Sequence, residues 1–190
     1  MSRLYMIRHG RPSATWGENA DPDPGLDKRG EAQAEAAADA LMALAPELRP
    51  ARVYASPLRR CRETAQPFAD RIGAQLVIDE RFGEIPTPAA LDLAQRSSWL
   101  KTAFEGRWAE IKGDIDYAGW ARAVGEALIE VAPAAVFSHF VAINAAVSDA
   151  TGEDRVMSFH PDHASMTAFD VEDGRLRLVQ RGPEAATQVL

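Results

Sequence analysis

The feature that most constrains the fold is an alternation of short apolar runs with longer helical segments. Four runs are typical of buried strands, namely RLYMIR (3–8), RVYA (52–55), QLVI (75–78) and AAVF (134–137). A segment of helical pattern follows each run. Strands that alternate with helices in this way pair in parallel. The sequence therefore predicts an α/β fold, a three-layer sandwich with a mostly parallel central sheet and helices on both faces.

Capping residues indicate where the helices begin. Asp27 is a good N-cap, and Ser56 and Thr87 are each followed by proline, a pair of signals typical of a helix start. Pro133 marks the end of a later helix. The predicted helices cover approximately residues 27–44, 56–72, 87–104, 117–131 and 140–150.

The remaining segments predict a hairpin and a long loop. Two further strands, 166–171 and 176–180, flank the turn Glu172-Asp173-Gly174, which indicates a β-hairpin. Residues 10–26 are dense in Gly, Pro, Asp and Asn and predict a loop. No internal repeat is visible, and 190 residues suit one well-buried core. We expect a single domain over residues 1–190.

Charge and cysteine content exclude some classes of protein. A net charge of −7 at pH 7 argues against a general nucleic-acid-binding surface. No run approaches the roughly 18 apolar residues that span a bilayer, and the opening MSRLYMIRHG becomes charged too early for a signal peptide. Cys61 is the single cysteine, which fits a reducing compartment. We expect a cytoplasmic protein that binds neither nucleic acid nor membrane, while its oligomeric state is not indicated.

Charged and polar residues follow the predicted strands, where a parallel sheet binds its ligands. In such sheets the ligand lies beyond the carboxyl ends of the strands. The helix starts near Ser56 and at 138–139 would add backbone N–H groups and positive dipole ends. Histidines and arginines at one edge favour a compact dianion, and phosphate fits best. The residues concerned are Arg8 and His9, Ser56 with Arg59 and Arg60, Glu84, and Ser138 with His139.

Five segments, in this order, resemble the motifs of a known family. They are RHG (8–10), LDKRGEAQA (26–34), SPLRRCRETA (56–65), FGEI (82–85) and SHF (138–140). Together they resemble the histidine phosphatase superfamily, in its phosphoglycerate-mutase-like branch. A tripeptide alone would be weak, but five segments in order span most of the chain. The resemblance implies a phosphoglycerate-mutase-like fold.

The resemblance also implies roles for five residues. His9 would accept the phosphoryl group, Arg8, Arg60 and His139 would hold its oxygens, and Glu84 would donate a proton. His139 would be catalytic as well as phosphate-binding. The implied activity is hydrolysis of a phosphomonoester of a small metabolite through a phosphohistidine intermediate.

The chemistry of these residue types agrees with those roles. A phosphomonoester repels an attacking anion, so a neutral imidazole such as His9 is a suitable nucleophile. Arg8 and Arg60 can offer paired N–H donors to the phosphoryl oxygens in the transition state. Glu84, held protonated by a site of low dielectric, could protonate the leaving group. Since the arginines neutralise the charge, we expect neither metal nor cofactor.

Two other functions remain open at this stage. A phosphoglycerate-type mutase would share the pocket, but residues 85–95 (IPTPAALDLAQ) lack the glycine- and lysine-containing pattern that mutases have there. A non-catalytic phospho-ligand-binding module would need neither His9 nor Glu84. The family's S-H-G-G is here Ser138-His139-Phe140-Val141, which indicates a tighter and more apolar pocket wall.

Some residues near the motifs have competing interpretations. Asp79 and Glu80 are rival carboxylates to Glu84. His160 and His163 have a spacing that zinc tolerates, but Pro161 between them argues against a helical metal site. One of residues 163–165 could line the pocket rim. The expected surface charges are Arg59 and Arg62, and the expected packing residues are Cys61, Trp99, Trp108 and Trp120.

Substrate selection is expected to fall to residues 86–122, a helical insertion between the predicted acid and the last helix. Basic side chains in this segment could meet further negative charge on a substrate, although a solvated helix face is an equally good interpretation. They are Arg96, Lys101, Arg107, Lys112 and Arg122.

Overall fold

The computed structural model describes residues 2–13 and 21–185, with residues 93 and 94 described by their backbone alone. The strands are β1 (Ser2–Arg8), β2 (Val53–Ala55), β3 (Leu76–Ile78), β4 (Ala135–Ser138), β5 (Met166–Glu172) and β6 (Arg175–Gln180). The helices are α1 (Lys28–Met42), α2 (Arg59–Ile72), α3 (Leu93–Glu105), α4 (Tyr117–Val131) and α5 (Phe140–Thr151). Short 3-10 turns lie at Pro46–Leu48, Glu80–Phe82 and Trp108–Glu110.

The central sheet has the strand order β3-β2-β4-β1-β5-β6. The pairs β3–β2, β2–β4 and β4–β1 are parallel, whereas β5 runs antiparallel to β1 and to β6. The register pairs Arg8 with Ser138, so β1 and β4 end side by side. The predicted mostly parallel sheet is confirmed, with an antiparallel hairpin at one edge.

Each face of the sheet carries its own apolar core. Because successive side chains of a strand point to opposite faces, Leu4 and Met6 of β1 join the core under α4 and α5. Tyr5 and Ile7 join the core under α1 and α2. Helices therefore cover both faces, as the sequence predicts.

Three of the five predicted helix starts are right, including that of α5 at Phe140, and two are wrong. Asp27 caps α1, where its carboxylate accepts from the backbone N–H of Gly30 at 2.7 Å, and α4 covers residues 117–131 as predicted. Ser56 does not cap α2, which begins at Arg59 after a residue with no side-chain cap. The Ser56 hydroxyl instead accepts from the Leu58 N–H at 3.3 Å and holds the turn before the helix.

The prediction that Thr87 starts the third helix is also wrong. Residues 84–92 are irregular, and α3 begins at Leu93. Asp92 and Gln95 form a capping box there, in which each side chain bonds the backbone of the other residue. A reciprocal pair satisfies two helix-end N–H groups, which a threonine before a proline does not.

The hairpin and part of the long loop agree with expectation. At the β5–β6 turn Asp173 and Gly174 have φ values of 51° and 71°, as a tight two-residue hairpin turn requires. Of the loop predicted over 10–26, residues 14–20 lie outside the described residues. The described remainder contains no helix, and Pro12 pairs with Leu26 in an isolated bridge. Across the described ranges, no helix has the length and apolar character needed to traverse a bilayer.

The chain that leaves β1 packs directly on the start of α1. A Cβ built on Gly30 would overlap the carbonyl oxygen of Arg11, and one on Gly10 would lie 2.7 Å from the carbonyl oxygen of Gly30. Two backbones can approach this closely only where both residues lack a side chain. The contact fixes the path of the chain immediately after His9.

We predict that Gly30→Ala lowers the free energy of unfolding by about 2 kcal/mol, because the new methyl group overpacks the contact with Arg11. At an unhindered helix position the same change stabilises by about 1 kcal/mol, so the sign is diagnostic. Urea unfolding of the variant would measure it. Gly106→Ala is the control, since the nearest atom to its Cβ among the described residues would lie 3.6 Å away. A Gly30→Ala protein as stable as wild type would contradict the packing described.

Candidate active site

Arg8 and His9 lie at the carboxyl end of β1, and both are buried, with 5% and 7% of their surfaces exposed. The His9 N–H donates to the Ser138 carbonyl at 3.0 Å, which ties the residue to the end of β4. The Nδ1 atom of His9 lies 2.8 Å from the Gly10 carbonyl oxygen. Because a carbonyl only accepts, Nδ1 carries the proton and Nε2 keeps a free lone pair.

His139 lies beside His9, with ring centroids 5.3 Å apart, and is completely buried. Its Nδ1 lies 3.3 Å from Arg60 Nη2, and its Nε2 lies 2.8 Å from Ser56 Oγ. Since a guanidinium only donates, Nδ1 accepts, and the ring proton on Nε2 is donated to Ser56. Rotation of the Ser56 hydroxyl would allow the opposite tautomer, with an Nδ1–H able to bond an anion.

The side chain of Glu84 contacts the N-terminus of α5. Its Oε1 accepts from the backbone N–H groups of Ile85 at 2.9 Å and Val141 at 3.2 Å. Burial raises the pKa of Glu84, against the opposing effect of those N–H groups and of Arg60 and Arg8. A raised pKa brings the carboxyl closer to the range that suits a general acid.

The two arginines and two imidazoles form a pocket of defined charge. Burial lowers the pKa of both His9 and His139 well below the ordinary value, and Arg60 and Arg8 lower both further. Burial also lowers the pKa of Arg8 to about 10, which leaves it charged at pH 7. The pocket therefore combines two cations with two neutral rings, a combination that can bind an anion and attack it.

Arg8 is held from several directions. Its Nη1 donates to the Pro161 carbonyl at 2.8 Å, and its guanidinium carbon lies 5.3 Å from the centre of the Phe140 ring. Its buried Nε has no partner among the described residues. Phe140 also contacts Phe104, with ring centroids 5.5 Å apart. The residue that replaces a family glycine thus forms an aromatic wall beside Arg8.

All five residues predicted for the site come together: Arg8, His9, Arg60, Glu84 and His139. The rival carboxylates do not join them, because Asp79 pairs with Arg81 at 2.6 Å and Glu80 is exposed. Arg59 pairs with Glu63 at 2.7 Å, and Arg62 lies 3.9 Å from Asp23. These two arginines are surface charges, as expected.

The sequence predicted no catalytic or phosphate-contacting role for three individual residues that lie at the site. Ser56 was expected at this edge of the sheet as the start of a helix, and Cys61, expected as packing, has its Sγ 3.4 Å from His139 Nε2. Burial raises the pKa of that thiol. The third residue is His163, whose ring centroid lies 5.7 Å from that of His9. The motif SPLRRCRETA begins at Ser56 but did not predict its bond to His139, whereas the expectation of a rim residue among 163–165 pointed towards His163.

His160 and His163 lie against different neighbours. His160 lies against Phe140, with ring centroids 5.9 Å apart, whereas His163 faces His9. Within residues 2–13 and 21–185, no three His, Cys, Asp or Glu side chains are grouped so as to hold a metal ion. The tryptophans pack as expected, with Trp108 and Trp120 ring centroids 5.8 Å apart.

Comparison with known proteins identifies relatives of this arrangement. The family model of the histidine phosphatase superfamily (branch 1) matches residues 4–182. A 2,3-bisphosphoglycerate-dependent phosphoglycerate mutase of Thermoplasma acidophilum is 30% identical over 158 residues, which cover 80% of this chain and 76% of the mutase.

A second curated relative is much longer. The 55 kDa subunit of transcription factor tau from Saccharomyces cerevisiae is 30% identical over 113 residues, or 50% of this chain. The matched segment spans 26% of that yeast protein.

The fold also matches a solved structure. The native mycobacterial glucosyl-3-phosphoglycerate phosphatase has a TM-score of 0.72 and 23% identity, covering 97% of this chain and all of the other. The likeness confirms the expected phosphoglycerate-mutase-like fold.

Proposed function

Because this chain belongs to the histidine phosphatase superfamily, we propose that it hydrolyses phosphomonoesters of small metabolites through a phosphohistidine intermediate on His9. The observation that carries the proposal is a neutral His9 whose Nε2 lone pair is free, in a pocket with two arginines and a carboxyl of raised pKa. Each part of that pocket has a task in phosphoryl transfer. A binding module would need the arginines but neither the nucleophile nor the acid.

The first task is to hold the dianion. Arg8 and Arg60 offer charged N–H donors to the phosphoryl oxygens, and His139 adds one when its proton lies on Nδ1. Ser56 makes that tautomer possible, because its hydroxyl can donate to His139 Nε2 at 2.8 Å. The neutral state of His9 keeps its lone pair available when the anion binds.

The second task is transfer itself. The Nε2 lone pair of His9 forms the N–P bond while the bond from phosphorus to the ester oxygen breaks, and Glu84 gives its proton to the departing oxygen. Glu84, now a carboxylate, takes a proton from a water molecule. That water attacks the phosphorus, the N–P bond breaks, and inorganic phosphate leaves. No step needs a metal, because the arginines offset the charge.

A mutase is the second candidate, favoured by the identity with the Thermoplasma enzyme. A mutase retains its product and phosphorylates it again at a second position. We favour hydrolysis because residues 85–95 lack the pattern of the mutases and because apolar Phe140 and Val141 stand where the family has glycines. Transfer of phosphate between the two hydroxyl positions of glycerate would distinguish the candidates.

We also propose that residues 86–122 select the substrate within a single domain, and that the protein is cytoplasmic. Support for the first comes from Phe104 of α3, which contacts Phe140 beside Arg8. Support for the second comes from the single cysteine, which is buried and has no internal disulfide partner.

We predict that His9→Ala abolishes formation of a phosphoenzyme. In wild type, acid-free denaturing quench of a reaction with ³²P-labelled substrate should trap a phosphoryl group that is stable to alkali and lost in acid. His160→Ala is the control, since its ring lies against Phe140 rather than His9. Turnover of the His9 variant at a rate near that of wild type would refute the mechanism.

We predict that Glu84→Gln slows hydrolysis of an alkyl phosphate about 100-fold to 10,000-fold, the range typical of a lost proton donor. Phosphorylation by p-nitrophenyl phosphate should slow much less, because p-nitrophenolate departs with little protonation. Single-turnover phosphorylation is the measurement, since breakdown of the phosphoenzyme also needs Glu84.

Asp79→Asn and Glu80→Gln are matched controls for Glu84→Gln and should leave both substrates nearly unaffected. If one of these variants showed the loss that depends on the leaving group, the acid would be misassigned, and phospho-His9 would still stand.

A further inference from the structure

A third imidazole lies at the phosphate pocket. The ring centroid of His163 is 5.7 Å from that of His9. The His9 ring also has His139 as a neighbour, with ring centroids 5.3 Å apart. The His163 side chain is 15% exposed, so it lies at the pocket rim rather than in solvent. The mechanism above gives it no task.

The backbone holds His163 in that place. Ala164, the next residue, donates its N–H to the Arg8 carbonyl at 3.0 Å, and the Arg8 N–H donates to the Ser165 carbonyl at 3.1 Å. Ala164 has a φ of 58°, a left-handed conformation that costs energy for a residue with a side chain. The loop from 160 to 165 is thereby fixed to the end of β1, next to the nucleophile.

The charges around His163 are mainly positive. Arg8 on β1, Arg11 in the following loop and Arg29 on α1 disfavour a charged imidazole, and Asp162 in its own loop favours one. The Asp162 Oδ1 lies 3.9 Å from His163 Nδ1 and accepts from the His163 backbone N–H at 2.7 Å. His9 and His139 are neutral neighbours. A bound dianion would add negative charge beside the ring and would favour the charged form of His163.

We propose that His163 is a phosphate-binding residue that takes up a proton when a phosphoryl dianion enters the pocket and then donates a charged hydrogen bond to it. The inference rests on the proposed function, because it requires that the pocket binds phosphate. It adds a binding residue, and it makes the binding of the substrate dianion depend on pH.

The direction of the pH dependence follows from the two states of His163. In the unliganded protein burial, then Arg8, lowers the pKa of His163 to about 4, so the ring is neutral at pH 7. A dianion beside the ring favours the charged form and raises the pKa in the complex. Between the two pKa values binding takes up a proton, and the affinity falls as the pH rises through the pKa of the complex.

The test is calorimetric binding of inorganic phosphate to the full-length protein at pH 6.5, in two buffers of different ionisation enthalpy. The difference between the buffers gives the protons taken up. Wild type should take up more than His163→Asn, by up to about one proton. The variant should bind phosphate roughly 10-fold to 100-fold more weakly, as expected for a lost charged hydrogen bond. Protonation of phosphate itself is common to both proteins and cancels in the comparison.

His160→Asn is the matched control, because it is the same change in the same loop on a ring that lies against Phe140. It should bind phosphate and take up protons as wild type does. Circular dichroism would confirm that both variants are folded, and His163→Gln provides a second variant should the first unfold. Equal affinity and equal proton uptake in wild type and folded His163→Asn would overturn the inference while leaving the pocket intact. If wild type bound no phosphate, the proposed function would fail as well.

Discussion

The parallel pairing of β1 with β4 is the contact on which the site depends. It sets the ends of the two strands side by side, with Arg8 opposite Ser138. His9 directly follows β1, and His139 directly follows β4. The bond from the His9 N–H to the Ser138 carbonyl continues the ladder past the end of β1. A slip of one residue would turn His9 to the other face of the sheet. The two cores on opposite faces disfavour such a slip, because it would move Leu4 and Met6 into the core that Tyr5 and Ile7 now fill.

Burial and positive charge act together in the pocket. Burial favours the neutral form of His9 and His139, and the arginines favour it further. The lone pair of the nucleophile is therefore not occupied by a proton near pH 7. The same burial leaves Arg8 Nε without a partner among the residues that the structure describes. A buried polar group without a partner costs about 1–3 kcal/mol, and a bound anion compensates the charge. Stability is thus given up at the place where phosphate is proposed to bind.

Much of this arrangement could be predicted from the sequence. The strand ends and the order of the motifs were sufficient to predict that five residues lie close together, namely Arg8, His9, Arg60, Glu84 and His139. Helix starts were less certain, since the Ser56 hydroxyl bonds a turn N–H and His139 instead of capping α2. The Asp92–Gln95 capping box replaced the expected start at Thr87. The site position of His163 depends on the left-handed turn at Ala164 and on bonds to β1, which leave no periodic pattern in the sequence.

The proposed chemistry requires that His9 be a neutral imidazole with its proton on Nδ1 and its lone pair on Nε2. Nitrogen-15 NMR of the histidine rings tests it directly, with the His9 signals identified by their loss in His9→Ala. We predict the Nδ1–H tautomer at pH 7, with imidazolium appearing only well below the pH at which an ordinary histidine titrates, because burial and the arginines lower the pKa of His9. An imidazolium at pH 7, or a proton on Nε2, would contradict it.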